Sequence, residues 1–226
     1  MKAAALLQLM RLASPSLPVG GFSYSEGIES AVETGRVSDE ATAERWLVDQ
    51  LHLALARSDL PVVAHALAAW RSGDAAGIES LNQWVATTRE TAELRQQSEQ
   101  MGRSLAVWLQ HRGTADPRLV RLEALHPAPT WPIAFALAAA DSDATARDVL
   151  VAFAAGWGEN MVQATMKAVP LGQLAAQRLL LTLSTEIVAV VDSALVVAVA
   201  DMQAFTPMLA ILSAQHENQY SRLFRS

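Results

Sequence analysis

Pro170 lies between two stretches of helical period, and this joint limits what the chain can fold into more than any other feature. Upstream, Leu150, Phe153, Trp157, Met161 and Thr165 recur at three and four residues, the spacing that puts side chains on one face of a helix. Glu159, Gln163 and Lys167 repeat at four on another face, with Asn160 beside them. Proline removes an N–H and disfavours helical geometry at the residue before it, so the first helix is expected to end near Val169. Pro170 suits the opening of the next helix, where its missing donor costs nothing. That helix carries Gln173 and Gln177 one turn apart, with Arg178 alongside. The segment Gly156–Leu181 therefore reads as a helix pair that gathers amides and charges, and the chain is expected to be organised around it. Two readings stay open: the solvated faces of amphipathic helices, or a binding surface whose amides suit a partner's hydrogen bonds. Gly156 and Gly158 each cost about 1 kcal/mol relative to Ala in mid-helix, which implies a specific role or close helix packing.

No stretch alternates as a strand does, and no repeat of fixed period is present. Half the residues are hydrophobic (51%), Ala and Leu dominate, and there are only two tyrosines. That composition predicts an all-α fold. A chain of 226 residues supports one sizeable core, here a single-domain bundle of about ten helices. The net charge of −6 argues against nucleic acid as a main partner, because a phosphate-binding protein needs a basic face. The absence of Cys excludes disulfides and thiolate metal sites and fits a cytoplasmic setting. Met1–Leu12 lacks the long apolar core of a signal peptide. The longest apolar run, Ile187–Ala200, contains Asp192 and Ser193 and falls short of the ~20 residues that span a bilayer. It is expected as a buried helix, not a membrane one.

In chain order, Ala3–Ala13 reads as a helix with Leu6, Leu9, Met10 and Ala13 on one side. Ser14–Ser25 holds two prolines and Gly20-Gly21, which forbid regular structure. Its Leu17, Val19, Phe22 and Tyr24 make it either a loop tucked on the core or a partner-binding loop. Glu26–Thr34 is expected to be helical and to end at Gly35. Ser38 is expected to cap a helix running to about Arg57 that buries Trp46, Leu47, Leu51 and Leu55. Pro61 opens the next, through Trp70, and Gly73-Asp74 another, through about Thr87. The polar helix Arg89–Trp108 offers Arg89–Glu93, Arg95–Glu99 and Glu99–Arg103 pairs at i,i+4. It reads as a solvated helix or a polar docking surface. A turn over Gly113–Pro117, a short helix, and the extended break His126–Pro132 precede a helix over Ile133–Ala140. Asp143 is expected to cap the helix that begins near Ala144. After Gln173–Val191 a final apolar helix is expected to reach about Met202. Pro207 then opens the last, with Met208, Ile211 and Leu212 inward. The end of the chain, about 215–226, mixes Tyr220, Leu223 and Phe224 with Arg222 and Arg225, residue types enriched at protein interfaces. It reads as a docking tail or a frayed end.

Little here suggests catalysis. His52, His65, His111, His126 and His216 are scattered, without the spacing that builds a metal site on one helix. Gly20-Gly21 lacks the Lys and Ser/Thr of a phosphate loop. No catalytic, metal or cofactor-binding residue is assigned. The rival reading is an all-α enzyme or small-ligand-binding protein using a polar pocket of Glu159, Asn160, Gln163 and Lys167.

Three blocks carry a resemblance: LASPSLPVGGFSYSEGIE, MVQATMKAVPLGQLAAQRLL and the terminal HENQYSRLFRS. Together with TAELRQQSEQMGR they resemble the UreF family of urease accessory proteins, from end to end and in the family's order. The match is weakest over Ser58–Thr88 and His111–Asp143. Glu26 departs from the pattern, where His or Gln is more usual, and no role is assigned to it. The resemblance implies an all-α homodimer that is not an enzyme. It implies an adaptor linking UreD (also called UreH) and the P-loop GTPase UreG to apo-urease, and regulating GTP-dependent nickel insertion, with the nickel chemistry lying with the partners. By the same resemblance, Pro18, Phe22 and Tyr24 of the loop, and Tyr220, Arg222, Leu223, Phe224 and Arg225 of the tail, are candidates for docking UreD. Lys167, Gln173, Gln177 and Arg178 are candidates for a GTPase-facing or dimer surface.

Overall fold

A computed structural model of the chain describes residues 1–112 and 116–226. Among them lie eleven α-helices and no strand: α1 (Ala3–Ala13), α2 (Ile28–Glu33), α3 (Glu40–Gln50), α4 (Asp59–Ser72), α5 (Ala75–Thr88), α6 (Ala92–Gln110), α7 (Pro117–Glu123), α8 (Trp131–Ala140), α9 (Ala146–Ala168), α10 (Gln173–Ala194) and α11 (Pro207–Glu217). The all-α expectation holds. The turn expected over Gly113–Pro117 lies partly outside the described residues.

The centre of the bundle is α8, not the pair around Pro170. Every residue of Pro132–Ala140 is buried, as expected of a helix that is apolar all round. It packs between α4 and α6, with α1, α5 and α9 completing its surround. Arg71 of α4 closes its end by donating to the carbonyls of Ala140, Ser142 and Ala144 at 2.9–3.1 Å. Gly102 lets α6 press on the entry to α8, for a Cβ there would stand 2.0 Å from the Pro129 carbonyl oxygen. The α9–α10 pair forms the second layer. Pro170 does separate these helices, and Gly156 admits the end of α1, with Ala13 Cα 3.1 Å from the position of a Cβ. The α10 helix is long and apolar enough to cross a membrane by length and composition, but Leu179, Leu183, Ile187 and Val190 are buried in the core.

Several expectations are corrected. Leu6 and Met10 of α1 are exposed, and Ala5, Leu9 and Leu12 are the buried face. The cap of α3 is Asp39 rather than Ser38, because Thr42 at N3 completes a capping box with it. After Gln50 that helix widens into one π-turn, Leu51–Leu55, and Trp46 is only half-buried. Thr145, not Asp143, caps α9, again through a box, with Asp148. Asp143 instead binds Lys2 at 2.6 Å. Arg89 lies outside α6 and makes no i,i+4 pair. The run Ile187–Ala200 is not one buried helix: α10 stops at Ala194, Val196 is exposed beyond it, and Val199 is exposed at the start of a 3-10 turn, Val199–Asp201. On α11 the buried residues are Leu209, Leu212, Ser213 and His216, and Ile211 faces out.

Candidate functional site

The Ser14–Ser25 loop and the chain end fold against each other. Gly21–Ser23 makes one 3-10 turn, which leaves the Ser23 carbonyl free to accept the Arg225 N–H at 2.8 Å. Two residues on, the Ser25 N–H donates to the Ser226 main-chain oxygen at 2.8 Å, and the Ser25 hydroxyl donates to the same oxygen. Ser226 Oγ donates to Gln97 Oε1 at 2.8 Å. From α2, the Glu29 carboxylate accepts the Leu223 and Phe224 N–H groups at 2.7 and 2.9 Å. From α6, Glu93 accepts Arg222 Nη1 at 2.7 Å. The tail is thus tied down through its backbone, unlike a frayed terminus.

This arrangement turns some of the expected residues outward and others inward. Pro18, Phe22, Tyr220, Leu223 and Arg225 are exposed, with Phe22 at 57% and Leu223 at 60% of full exposure. Lys167, at the end of α9, places its ammonium 5.9 Å from the Phe22 ring and 5.6 Å from the Phe224 ring, within cation–π reach of both. Together with Ser23, these residues line a groove where loop, tail and α9 meet. Tyr24 and Phe224 are both buried. Phe224 anchors the tail, and the Tyr24 hydroxyl donates to Gln100 at 2.9 Å, with burial pushing its phenol above the usual range. On α10, Gln173, Gln177 and Arg178 are exposed, but Arg178 forks onto Glu40 at 2.6 and 2.7 Å while Lys167 engages the loop and tail. Arg178 is thus held against α3, while Lys167 is held against the loop and tail.

Behind the loop lies an internal cavity of about 100 Å³, lined by side chains of α1, α6, α9 and α11 and by the residues before α2 and α4. Its polar wall is Glu26, Gln50, Asp59, Arg89, Gln97 and Asn160. Of the polar pocket expected on α9, only Asn160 faces this cavity, because Glu159, Gln163 and Lys167 lie on other sides of the helix. Glu26 takes a left-handed backbone (φ 48°) ahead of Gly27 (φ 80°), a strained geometry for a residue with a Cβ. Its carboxylate accepts Gln97 Nε2–H at 2.5 Å and Trp157 Nε1–H at 2.9 Å. Burial pushes that carboxyl above its ordinary value. Asp59 accepts both terminal nitrogens of Arg89 at 2.6 and 3.1 Å. Arg89 Nε, Gln50 Oε1 and Asn160 Oδ1 have no partner among the described residues, so the wall keeps one donor and two acceptors for water or a small polar molecule.

The sequence points to no site role for Glu26, Glu29 or Asp59, and to Glu93 only as a surface partner of Arg89. Their partners are far away in the chain. The one available signal was that Glu26 departs from the residue usual in the resembling family.

Known proteins match this chain over nearly its whole length. The sequence model of the UreF family covers residues 37–184. A urease accessory protein UreF of Methylibium petroleiphilum is 64% identical over 225 residues, covering 99% of this chain and 95% of its own. That of Paracidovorax citrulli is 61% identical over 228 residues, covering 99% and 90%. That of Cupriavidus necator is 46% identical over 225 residues, covering 98% and 97%.

Proposed function

Because the chain belongs to the UreF family of urease accessory proteins, we propose that it serves urease maturation as a non-catalytic cytoplasmic adaptor, joining UreD and the GTPase UreG to apo-urease and regulating GTP-dependent nickel insertion. The observation that carries this reading is the loop–tail surface. Phe22 and Leu223 are large apolar side chains held in water by a backbone that is itself tied down at Ser23, Leu223 and Arg225, and Tyr220 is fully exposed. Such side chains on a rigid frame are the anchors that interfaces use. UreD is the partner assigned to this surface. Nucleotide binding belongs to the GTPase, and nickel is cargo.

A homodimer is part of the same reading. Leu174, Leu181 and Val188 recur at seven along the outer face of α10 and are exposed. The neighbouring charges are already paired within the chain, Arg178 with Glu40, Glu186 with His52 and Asp192 with Arg147. A neutral apolar stripe of this period suits the same helix of a second copy, run antiparallel about a two-fold axis.

Co-purification with UreD and UreG tests the adaptor. Tyr220→Ala with Leu223→Asp changes only exposed side chains, so it should lose UreD while the fold is kept. If the wild-type chain captures neither partner, the adaptor reading falls. In that case the cavity behind Glu26 supports a small-ligand protein, and a ligand-dependent rise in melting temperature would identify its occupant.

A further inference from the structure

His216 stands where α2, α6, α11 and the tail meet, and it is fully buried. Its Nδ1 lies 2.8 Å from Glu93 Oε2, and its Nε2 lies 3.2 Å from Glu29 Oε2. These carboxylates are also the tail's anchors, Glu29 for the Leu223 and Phe224 amides and Glu93 for the Arg222 guanidinium. The imidazole therefore contacts both anchors at once.

A neutral imidazole has one N–H to donate, and an imidazolium has two. Here both ring nitrogens face carboxylate oxygens, so only the imidazolium satisfies both contacts. A neutral ring would point a nitrogen lone pair at one carboxylate in a dry site, where the repulsion is poorly screened. Lifting the tail relieves this, because Glu29 is then free to turn toward water. The charges facing the ring are Glu29 from α2, Glu93 from α6 and Arg222 from the tail. On its own helix, Glu217 accepts the Glu93 N–H at 3.3 Å. Arg222 is the second cation, but it binds the other oxygen of Glu93 and leaves Oε2 to the ring.

We propose that His216 is a proton-dependent latch that holds the tail in its docked form, so that the groove formed with Phe22 and Lys167 is complete only while the ring is protonated. This deepens the adaptor reading, since the surface it controls is the one assigned to UreD. The docked state favours the protonated ring, so docking is strongest at low pH and weakens as pH rises. One linked proton changes the docked-to-free ratio by up to about tenfold per pH unit.

The chain has no Cys, so a spin label on Ser221→Cys reports the tail alone, and one on Gln83→Cys of α5 serves as control. In the full chain without partners, the tail label should be immobile at the acid end of a pH series and grow mobile toward its alkaline end. The control should not change. His216→Gln should leave the tail mobile throughout with no pH response. Glu29→Gln should flatten the response, because the carboxylate facing Nε2 is gone. A wild-type tail whose mobility ignores pH would overturn the latch, as would a pH response shared by the control label. Should His216→Gln fail to fold, the wild-type and Glu29→Gln profiles decide between these outcomes. No partner is present in this measurement, so failure of the latch leaves the UreD assignment standing. A tail that responds to pH yet captures no UreD would instead sink that assignment alone.

Discussion

Glu26 shows how much one buried carboxyl can carry. It bridges α6 and α9 through Gln97 and Trp157 from a strained backbone, and burial raises its pKa. A group whose folded pKa is raised adds stability below its unfolded value and loses it as pH climbs through the folded one. Glu26→Gln removes the charge, so the melting temperature of the variant relative to wild type should improve between about pH 5 and about pH 8. A constant difference would contradict the assignment. The Asp59–Arg89 pair is the opposite case, with the Asp59 charge buried and compensated by a half-buried guanidinium. Arg89→Met strands Asp59 and should cost about 3–5 kcal/mol in urea unfolding. Gly102→Ala should cost about 3 kcal/mol or more, since the neighbour it meets is backbone and cannot swing aside. None of these residues declared itself in the sequence. Arg89 read as the start of a surface ladder with Glu93, but Thr91 caps α6, so Arg89 falls before the helix and turns inward to Asp59.

At the scale of elements, periodicity and punctuation were legible, and ten of the helices begin or end near a Pro, Gly or capping residue that local chemistry explains. The caps of α3 and α9 fall one and two residues past the expected Ser38 and Asp143. Ser38 or Asp39, and Asp143 or Thr145, were decided by which one has a polar partner three residues on. Thr145→Ala breaks the box with Asp148 and should cost about 1 kcal/mol, read as a shift of the urea midpoint at constant slope. Faces were harder. The α1 helix offers apolar residues nearly all round, so period alone cannot say that Ala5, Leu9 and Leu12 go inward while Leu6 and Met10 stay in water. Apolar runs are ambiguous too, as Val196 and Val199 show. Their hydrophobicity suggested a helix in the core, yet they sit exposed beyond the end of α10.

For the whole molecule, the exposed stripe on α10 makes a measurable statement. Light scattering should give the mass of two chains for the wild type, and Leu181→Lys should halve it without loss of helicity, because that side chain is 70% exposed and contributes little to the core. An Arg178→Ala chain should unfold much as the wild type does, as exposed ion pairs contribute little, so a loss of complex assembly would place the partner contact there.

The sequence by itself determined the all-α class, the helix boundaries near Pro170 and Pro207, the loop and tail as the unusual segments, and the family. All of these rest on local propensity or on order along the chain. Which helix would be central, which faces would be wet, and that His216, Glu29 and Glu93 would converge were decided by the tertiary structure. His216 lies 123 residues from Glu93 and 187 from Glu29. No local period encodes such distances, and only the packing of α2, α6 and α11 brings these groups within hydrogen-bond reach.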